Sequence, residues 1–412
     1  MLEPILGKNI FPILRSTLNR LDGRLVDHGE RVAYLVCHML RQMGCPARRM
    51  LDLCILAVLH DIGAYKTDEV DDMILFETRR VWNHSIYGYL FIREFSPLRD
   101  QAQAVLYHHL DYERFPVGKT ESRETALLLH LADGVDTWLR GHPPESLPGF
   151  LRENAGKRFD PRQVELFLQV QEQDRLLQNL QSGQYQSELH TLLEGLDITP
   201  SEAHQYLRML VYSVDFRSET TVAHTFMMTA LSVQLAWRLG LPLGQCRKIY
   251  YGAMLHDLGK IAIPTEILEF PGTLTAPQMA LMRTHVSVSE EIIKDFVDPE
   301  VCRIAVRHHE KLDGSGYPRG LRAGDLTLSE RLVAVADILS ALIGRRSYKE
   351  SFSEEKVRHL LRGMSENGKL DGQVTGLVLS QYDDILRAAD EYCRPVIEAY
   401  QRMKDEYQRL HG

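Results

Sequence analysis

Apolar residues recur at helical spacing along most of the chain, and two stretches show the pattern clearly. They are Leu51, Ile55, Val58 and Leu59 in the first half, and Ile249, Met254 and Leu255 in the second half. Intervals of three and four residues place such side chains on one face of a helix. No stretch shows the sustained alternation and β-branched enrichment that would predict a strand. The pattern therefore predicts an all-α fold, with two helical bundles in series.

Histidine and aspartate residues form a set that occurs twice in the same order. The first set is His28, His60, Asp61, His84, His108, His109 and Asp133. The second set is His224, His256, Asp257, His285, His308, His309 and Asp337. The first three members recur at an offset of 196 residues, and the offset reaches 204 at the last member, which small loop insertions explain. Such a repeat indicates two copies of one module.

The repeat and the local start signals predict three segments. We expect the first module in residues 1–150, a connector in residues 151–198 and the second module in residues 199–412. The sequence Thr-Pro-Ser-Glu from Thr199 has the form of a capping box with proline at the first helical position, which marks the start of the second module.

Two further segments are predicted to be helical. The connector contains eight glutamines between Gln163 and Gln186 but keeps apolar residues at helical spacing, which favours a connecting helix. From Tyr382 to Leu410, apolar residues alternate at three- and four-residue intervals, which predicts one long amphipathic helix kinked at Pro395. We expect this last helix to pack on the second bundle.

Charge and composition exclude several classes of protein. The chain has 412 residues, a formal net charge of -8 and a pI near 6.1, so it lacks the basic field of a duplex nucleic-acid binder. Its apolar runs are short or interrupted by charges, which predicts no membrane span, and the N-terminus lacks the pattern of a secretion signal. The six cysteines form no Cys-x-x-Cys pair, so we expect reduced thiols in the cytoplasm.

The repeated residues have the chemistry of metal ligands. Asp337 lies in the apolar run 332–342, where an ionised carboxylate is costly unless it is paired or bound to a metal. Metal binding explains the five histidines and two aspartates of a copy together. Nitrogen and oxygen donors without thiolate favour Fe or Mn, with Zn, Ni and Co left open. Seven ligands suit two divalent ions that share a bridging carboxylate, a site that can cleave phosphate esters.

Two strings in the second copy are specific enough to indicate a family. They are His256-Asp257-Leu-Gly-Lys260 and His308-His309-Glu-Lys-Leu-Asp-Gly-Ser-Gly-Tyr317-Pro318. Over about residues 200–380 the chain resembles the HD-GYP family of bacterial cyclic dinucleotide phosphodiesterases. The resemblance implies that Asp257 bridges two metals and that Lys260 contacts the substrate phosphate or the leaving oxygen. It also implies that Arg346 and Lys349 bind the substrate phosphates, while Tyr317 is either a substrate contact or part of a surface for a partner.

The sequence departs from the family pattern at two places. Some members place a glutamate four residues before the first histidine ligand, where it helps to hold a third metal. Thr220 occupies that position here, and the nearest acid, Glu219, is one residue away, which is about 100° of helical rotation. We therefore expect two metals and not three. Ser347 replaces the family's proline beside Arg346, and we expect this change to loosen the loop.

The resemblance implies a metal-dependent phosphodiesterase that hydrolyses a small cyclic dinucleotide, cyclic di-GMP or cyclic GMP-AMP, to the linear dinucleotide. One alternative is a non-catalytic cyclic dinucleotide receptor, which would not need both Asp257 and Lys260. Another is a nucleotidase or ppGpp-type hydrolase as the main activity. No base-reading motif is recognisable, so the bases stay open. Whether the chain forms a homodimer or binds a signalling protein through the Gly-Tyr-Pro loop is also open.

The first copy resembles a plain HD domain. It keeps all seven candidate ligands, and we expect it to bind metal as well. It has Ala64 where the second copy has Lys260, although Lys66 is close, and it lacks the glycine-rich loop. Three interpretations stay open for it: a second phosphohydrolase such as a nucleotidase, a sensory or binding module, and a structural metal site.

Overall fold

The computed structural model describes residues 5–20, 27–64, 82–115, 121–194, 198–218, 224–344 and 352–411. Within these ranges the chain is helical and contains no β-strand beyond isolated single bridges, such as the one between Ile5 and Val297. The predicted all-α fold class is confirmed.

The chain packs into two compact units. The N-terminal unit consists of Leu21–Met209 with Met403–Gly412, and the C-terminal unit consists of Met1–Arg20 with Leu210–Arg402. These limits differ from the predicted segments, because the two ends of the chain and the connector follow their packing partners and not their order in the sequence.

The N-terminal segment belongs to the C-terminal unit. Its helix α1 (Ile10–Leu18) buries Ile13 completely. Just before α1, the side-chain nitrogen Nδ2 of Asn9 donates a hydrogen bond to the carbonyl oxygen of Phe296 at 2.6 Å. The segment is thus fixed to that unit by both apolar burial and a polar contact.

The helices of the N-terminal unit carry the first copy of the repeat. They are α2 (His28–Gln42), α3 (Ala47–Val58), α4 (Trp82–Phe95), α5 (Ala102–Leu106), α6 (Glu121–Gly141) and α7 (Leu147–Asn154). Helix α2 packs against α3 and α6, and α4 packs against α5. Leu35 of α2 and Leu56 of α3 are fully buried in the core of this unit.

The connector forms three short helices, so the prediction of a single connecting helix was wrong. They are α8 (Pro161–Asp174), α9 (Leu176–Ser182) and α10 (Tyr185–Glu194). The breaks fall at Arg175 (φ 54°) and Gly183 (φ 79°), because a left-handed residue ends an α-helix. Helices α8 and α10 pack against α2, where the hydroxyl of Tyr34 donates a hydrogen bond to Oε2 of Glu188 at 2.7 Å.

Two of the cysteines are joined by a disulfide, contrary to the expectation that all six are reduced. Cys37 of α2 is bonded to Cys54 of α3. Packing of the two helices brings the Cα atoms to 5.9 Å, which is within the range that the bond requires. Spacing along the sequence gave no sign of the pair, because the cysteines meet across a helix–helix contact.

The C-terminal unit repeats the arrangement of the first. Helix α11 (Pro200–Asp215) leads into it, and its capping box is confirmed by hydrogen bonds in both directions between Thr199 and Glu202. The following helices are α12 (His224–Arg238), α13 (Leu243–Leu255), α14 (Thr265–Leu268), α15 (Ala276–Ile293), α16 (Pro299–Val306), α17 (Leu328–Ile343), α18 (Glu354–Glu366) and α19 (Gly372–Ser380). Helix α12 packs against α13 and α17, as α2 packs against α3 and α6.

The predicted long C-terminal helix is present as α20 (Tyr382–His411), with Pro395 inside it. Its residues up to Arg402 pack in the C-terminal unit, as expected, and its last residues pack in the N-terminal unit. There Oε2 of Glu406 lies 2.5 Å from Nη2 of Arg93. Among the described residues, none of the helices combines the length and the apolar character needed to cross a membrane.

Candidate metal centres

In the C-terminal unit, the seven candidate ligands come from five helices that meet at one place. They are His224 at the start of α12, His256 and Asp257 after α13, His285 in α15, His308 and His309 after α16, and Asp337 in α17. Five of these side chains are buried, and those of His224 and His309 are partly exposed. The fold therefore brings together all of the residues that the repeat had singled out.

Asp257 lies between two groups of histidines. Its Oδ1 is 3.3 Å from Nε2 of His285 and 4.0 Å from Nε2 of His308. Its Oδ2 is 3.0 Å from Nε2 of His256 and 3.7 Å from Nε2 of His224. Each carboxylate oxygen faces a different pair of imidazoles, which suits a carboxylate shared by two ions.

Asp337 also contacts one histidine of each group. Its Oδ1 is 3.3 Å from Nε2 of His224, and its Oδ2 is 3.3 Å from Nδ1 of His309. Ligand atoms within 4.8 Å of one another form two groups, one of His224, His256 and Asp257 and the other of His285, His308 and His309. Two ions of ordinary coordination can thus be held side by side.

Hydrogen bonds at the far ring nitrogen orient the buried histidines. Nδ1 of His256, His285 and His308 each lies 2.6 Å from the carbonyl oxygen three residues earlier, at Ala253, Met282 and Ala305 respectively. A carbonyl oxygen only accepts hydrogen bonds, so Nδ1 carries the proton and donates the hydrogen bond. Nε2 is then the basic nitrogen, and it points into the cluster, as a metal-binding imidazole requires.

Several buried atoms of the cluster have no hydrogen-bond partner among the described residues. In the C-terminal unit these include Nε2 of His256 and Oδ1 of Asp257. A buried polar atom without a partner costs about 1–3 kcal/mol, so native proteins rarely tolerate several together. Bound metal ions would satisfy these atoms, and the residues present therefore fit a metal site.

Burial lowers the pKa of three imidazoles of the cluster, those of His224, His285 and His308, below the usual range. At His256 burial acts in the same direction, but the charge of Asp257 outweighs it and raises the pKa. Burial, reinforced by the neighbouring His309 and His256, holds the pKa of His308 well below its usual range. Burial tends to raise the pKa of Asp257, but His256 and Lys260 outweigh it and hold that pKa well below its usual range. Neutral imidazole and ionised carboxylate are the forms that bind a divalent cation.

A glycine allows the turn after the His-Asp pair to approach the next ligand helix. A Cβ atom at Gly259 would lie 2.0 Å from the carbonyl oxygen of His285, and one at Gly63 would lie 2.0 Å from that of His84. Both contacts are too short for any side chain. The glycine two residues after each aspartate therefore serves the close packing that brings the third histidine into each cluster.

Lys260 and Tyr317 both lie at the C-terminal cluster. Nζ of Lys260 is 2.5 Å from Oδ2 of Asp257, and the ring of Tyr317 lies 4.6 Å from the ring of His309, centroid to centroid. The two other predicted substrate contacts, Arg346 and Lys349, lie outside the described residues, as do the positions Glu219 and Thr220 that bear on a third metal.

The N-terminal unit contains a cluster of the same geometry. Oδ1 of Asp61 is 3.6 Å from Nε2 of His84 and 3.5 Å from Nε2 of His108. Oδ2 of Asp61 is 3.5 Å from Nε2 of His28 and 3.3 Å from Nε2 of His60. The shared position of Asp61 repeats that of Asp257.

The other carboxylate of the N-terminal cluster also repeats its counterpart. Oδ1 of Asp133 is 3.3 Å from Nε2 of His28, and Oδ2 is 3.6 Å from Nδ1 of His109. Nε2 of His60 and of His108 are buried without a hydrogen-bond partner among the described residues. All seven predicted ligands of this unit are thus brought together, and they too fit a metal site.

The two clusters differ at the residue that supports the first histidine. Nδ1 of His28 lies 2.7 Å from Oδ2 of Asp136, which is fully buried, whereas Nδ1 of His224 lies 3.0 Å from the hydroxyl of Ser340. Burial lowers the pKa of His28, but hydrogen bonds to Asp133 and Asp136 outweigh it and raise the pKa to about 10. The carboxylate makes His28 the more basic imidazole of the two.

Sequence reasoning missed these supporting residues, although a signal was present. Asp136 and Ser340 each stand three residues after the aspartate ligand of their copy, on the adjacent turn of the same helix. Glu310 was also missed. It is buried and accepts hydrogen bonds from the backbone nitrogens of Arg319 and Leu321 at 2.7 and 2.9 Å, which fixes the glycine-rich loop.

Comparison with known proteins agrees with this geometry. The HD domain family matches residues 25–138 and, through a second HD domain model, residues 205–374. A structural match covers 93% of this chain and 97% of a cyclic GMP-AMP-specific phosphodiesterase of Vibrio cholerae, with a TM-score of 0.58 and 19% identity. That likeness establishes the fold.

Curated relatives extend the comparison to sequence. The chain is 28% identical over 387 residues to 3'3'-cGAMP-specific phosphodiesterase 1 of Vibrio cholerae, covering 89% of this chain and 88% of that protein. It is 36% identical over 181 residues to 3'3'-cGAMP-specific phosphodiesterase 2 of the same organism, covering 43% and 34%. A cyclic di-GMP phosphodiesterase of Thermotoga maritima is 32% identical over 205 residues, covering 49% of this chain and 52% of the relative.

Proposed function

Because this chain is a tandem HD-domain protein of the HD-GYP phosphodiesterase family, we propose that it hydrolyses a cyclic dinucleotide to the linear dinucleotide in its C-terminal unit. The proposal rests mainly on the position of Asp257. Its two carboxylate oxygens face separate histidine groups, and Lys260 contacts one of these two oxygens. Cyclic di-GMP and cyclic GMP-AMP are the substrate candidates, since the relatives act on one or the other.

We propose two divalent ions in this cluster, one in each histidine group, with Fe or Mn as the metals that suit nitrogen and oxygen donors without thiolate. Two such ions supply an activated water and charge stabilisation for phosphodiester cleavage. The carbonyls that accept from the Nδ1 atoms hold the imidazoles in place, so the site needs little rearrangement when substrate binds.

Lys260 has a separate role in the proposed reaction. Its ammonium group is largely buried and already ion-paired with Asp257. Burial lowers the pKa of Lys260, but the charge of Asp257 and the other nearby carboxylates outweighs it and raises that pKa. A fully protonated lysine beside the bridging carboxylate can neutralise charge on the phosphoryl oxygens and donate a proton to the departing sugar oxygen. This placement also favours an enzyme over a receptor, because binding alone does not need a proton donor there.

A turnover assay tests the proposal directly. The purified protein, loaded with Mn or Fe, is incubated with cyclic di-GMP, cyclic di-AMP and cyclic GMP-AMP, and the products are resolved chromatographically. We expect the linear dinucleotide from at least one guanine-containing substrate. Tight binding without any linear product would replace the enzyme by a receptor, and hydrolysis restricted to linear nucleotides would replace it by a nucleotidase.

Replacing Lys260 by alanine should slow turnover by about 10²-fold while metal content stays unchanged, because the lysine supplies charge and a proton but does not bind metal. Turnover at saturating substrate and metal analysis by mass spectrometry measure the two effects. Lys294→Ala, which removes an exposed lysine at the end of α15, is the control. A Lys260→Ala variant as fast as the parent would remove this residue from the mechanism.

Arg346→Ala and Lys349→Ala should raise KM for the cyclic dinucleotide with little change in kcat. Resemblance to the family assigns both cations to the substrate phosphates and not to the metals, so their loss weakens binding of substrate and transition state alike. Steady-state kinetics separate the two parameters, with the exposed Lys356→Ala as control. A fall in kcat alone would place the two residues at the reacting phosphate.

For the N-terminal unit we propose removal of the terminal phosphate from the linear product. Two features of the described residues support a hydrolytic site of different selectivity. The ligand geometry around Asp61 matches that around Asp257. However, the buried Ala64 stands where the other unit has Lys260, so the two clusters differ in the charge at the position that follows the His-Asp pair.

A further inference from the structure

The ring of Tyr317 contacts both a candidate metal ligand, His309, and an arginine, Arg283. It lies 4.6 Å from the ring of His309. The guanidinium carbon of Arg283 lies 4.8 Å from the centre of the Tyr317 ring. A single aromatic ring thus connects Arg283 to the metal cluster.

The loop that carries Tyr317 is held firmly in this position. Glu310 accepts hydrogen bonds from the backbone of Arg319 and Leu321, and Nη2 of Arg319 lies 2.5 Å from Oε1 of Glu290 on α15. Gly316 has no room for a side chain, because a Cβ atom there would lie 2.4 Å from the backbone nitrogen of Lys311. The platform beneath Arg283 is therefore preorganised.

Arg283 itself is exposed, and it makes no hydrogen bond or ion pair with the described part of the chain. Stacking on an aromatic ring orders a guanidinium group while leaving its N–H donors free at the edge. An ordered arginine with open donors beside a cluster that is proposed to cleave a phosphodiester is suited to bind an anion.

The first copy of the repeat does not keep this arginine. In the second copy, Arg283 stands two residues before the third histidine, His285. The first copy has Trp82 at the corresponding position, two residues before His84. The first copy also has no counterpart of the loop that carries Tyr317. The cation and its platform are thus confined to the copy that is proposed to act on a cyclic dinucleotide.

We propose that Arg283 is a substrate-binding residue that contacts the second, uncleaved phosphate of the cyclic dinucleotide. A cyclic dinucleotide carries two phosphodiesters in one ring, and the metal cluster with Lys260 can engage one of them. The other phosphate has to be held by other groups, and Arg283, which contacts the ring that also contacts His309, offers it a planar pair of N–H donors. This inference rests on the proposed function of the C-terminal unit and adds to it a specific contact.

Kinetics of Arg283→Ala, Arg283→Lys and the parent on cyclic di-GMP, cyclic di-AMP and cyclic GMP-AMP test the contact. Loss of one charge-assisted hydrogen bond should raise KM roughly 10-fold for every one of these substrates that the parent cleaves, since each has the same phosphates. The lysine variant should recover part of the loss, kcat should fall less than KM rises, and metal content should stay at the parent level. Arg387→Ala, an exposed arginine of α20 paired with Asp384, is the matched control.

Three results would overturn the inference or separate it from the proposed function. An unchanged KM in Arg283→Ala removes the contact. A rise confined to guanine-containing substrates moves the contact from the phosphate to a base edge. If the parent cleaves none of the three substrates, the proposed function fails. The dissociation constant of a slowly hydrolysed phosphorothioate analogue of cyclic di-GMP then decides on Arg283, because a weakened affinity in the variant supports the contact and an unchanged one excludes it.

Discussion

Replacing Asp257 by alanine is expected to abolish cyclic dinucleotide hydrolysis and to remove most of the metal from the C-terminal unit. Asp257 is the residue whose oxygens face both histidine groups, so its loss takes one ligand from each proposed ion. It also leaves Lys260 largely buried without its ion-pair partner, and breaking one member of a buried pair typically costs about 3–5 kcal/mol. The variant should therefore lose stability as well as activity.

Metal content and turnover of Asp257→Ala are to be measured beside those of two other variants. Asp257→Asn keeps the side-chain volume, and Asp383→Ala, which removes an exposed aspartate of α20, is the control. Helical content by circular dichroism shows whether the chain still folds. The asparagine variant should retain the fold yet lose turnover, since an amide is a poor bridge between two cations. Metal content equal to that of the parent in both Asp257 variants would show that the bridging assignment is wrong.

Sequence predicted the clustering of these histidines and aspartates because they sit at positions that local patterns mark. The His-Asp pairs follow apolar helices, Asp337 interrupts an apolar run, and the order of the set repeats. Once each copy folds as a helical bundle, packing of α12 on α13 and α17 brings these residues together. The prediction of a cluster thus needed only helix periodicity and the observation that several buried histidines and carboxylates require a common partner.

The features that sequence did not predict depend on contacts between distant segments. Cys37 meets Cys54 only because α2 packs on α3, and Arg283 meets Tyr317 only because the loop folds back on α15. The connector breaks where Arg175 adopts a left-handed backbone, a conformation that this residue type does not signal. Periodicity describes one helix at a time, so it cannot report such pairings or such breaks.

The double change His60→Ala with Asp61→Ala is expected to stop release of inorganic phosphate while cyclic dinucleotide cleavage continues. His60 and Asp61 occupy the places of His256 and Asp257 in the first copy, so their loss disrupts both proposed ion positions in the N-terminal unit. The ligands of the C-terminal cluster come from residues after 223 and are unaltered by this change. The linear dinucleotide should therefore accumulate with its terminal phosphate in place.

A reciprocal experiment tests which unit releases the phosphate. The Asp257→Ala protein, supplied with the linear dinucleotide, should still release phosphate, because its first cluster is intact. The double variant, supplied with the same compound, should release none. Phosphate release that follows Asp257 and not Asp61 would place both steps in the C-terminal unit. Absence of phosphate from the parent itself would leave the N-terminal cluster, with its basic His28 supported by Asp136, as a regulatory or structural metal site.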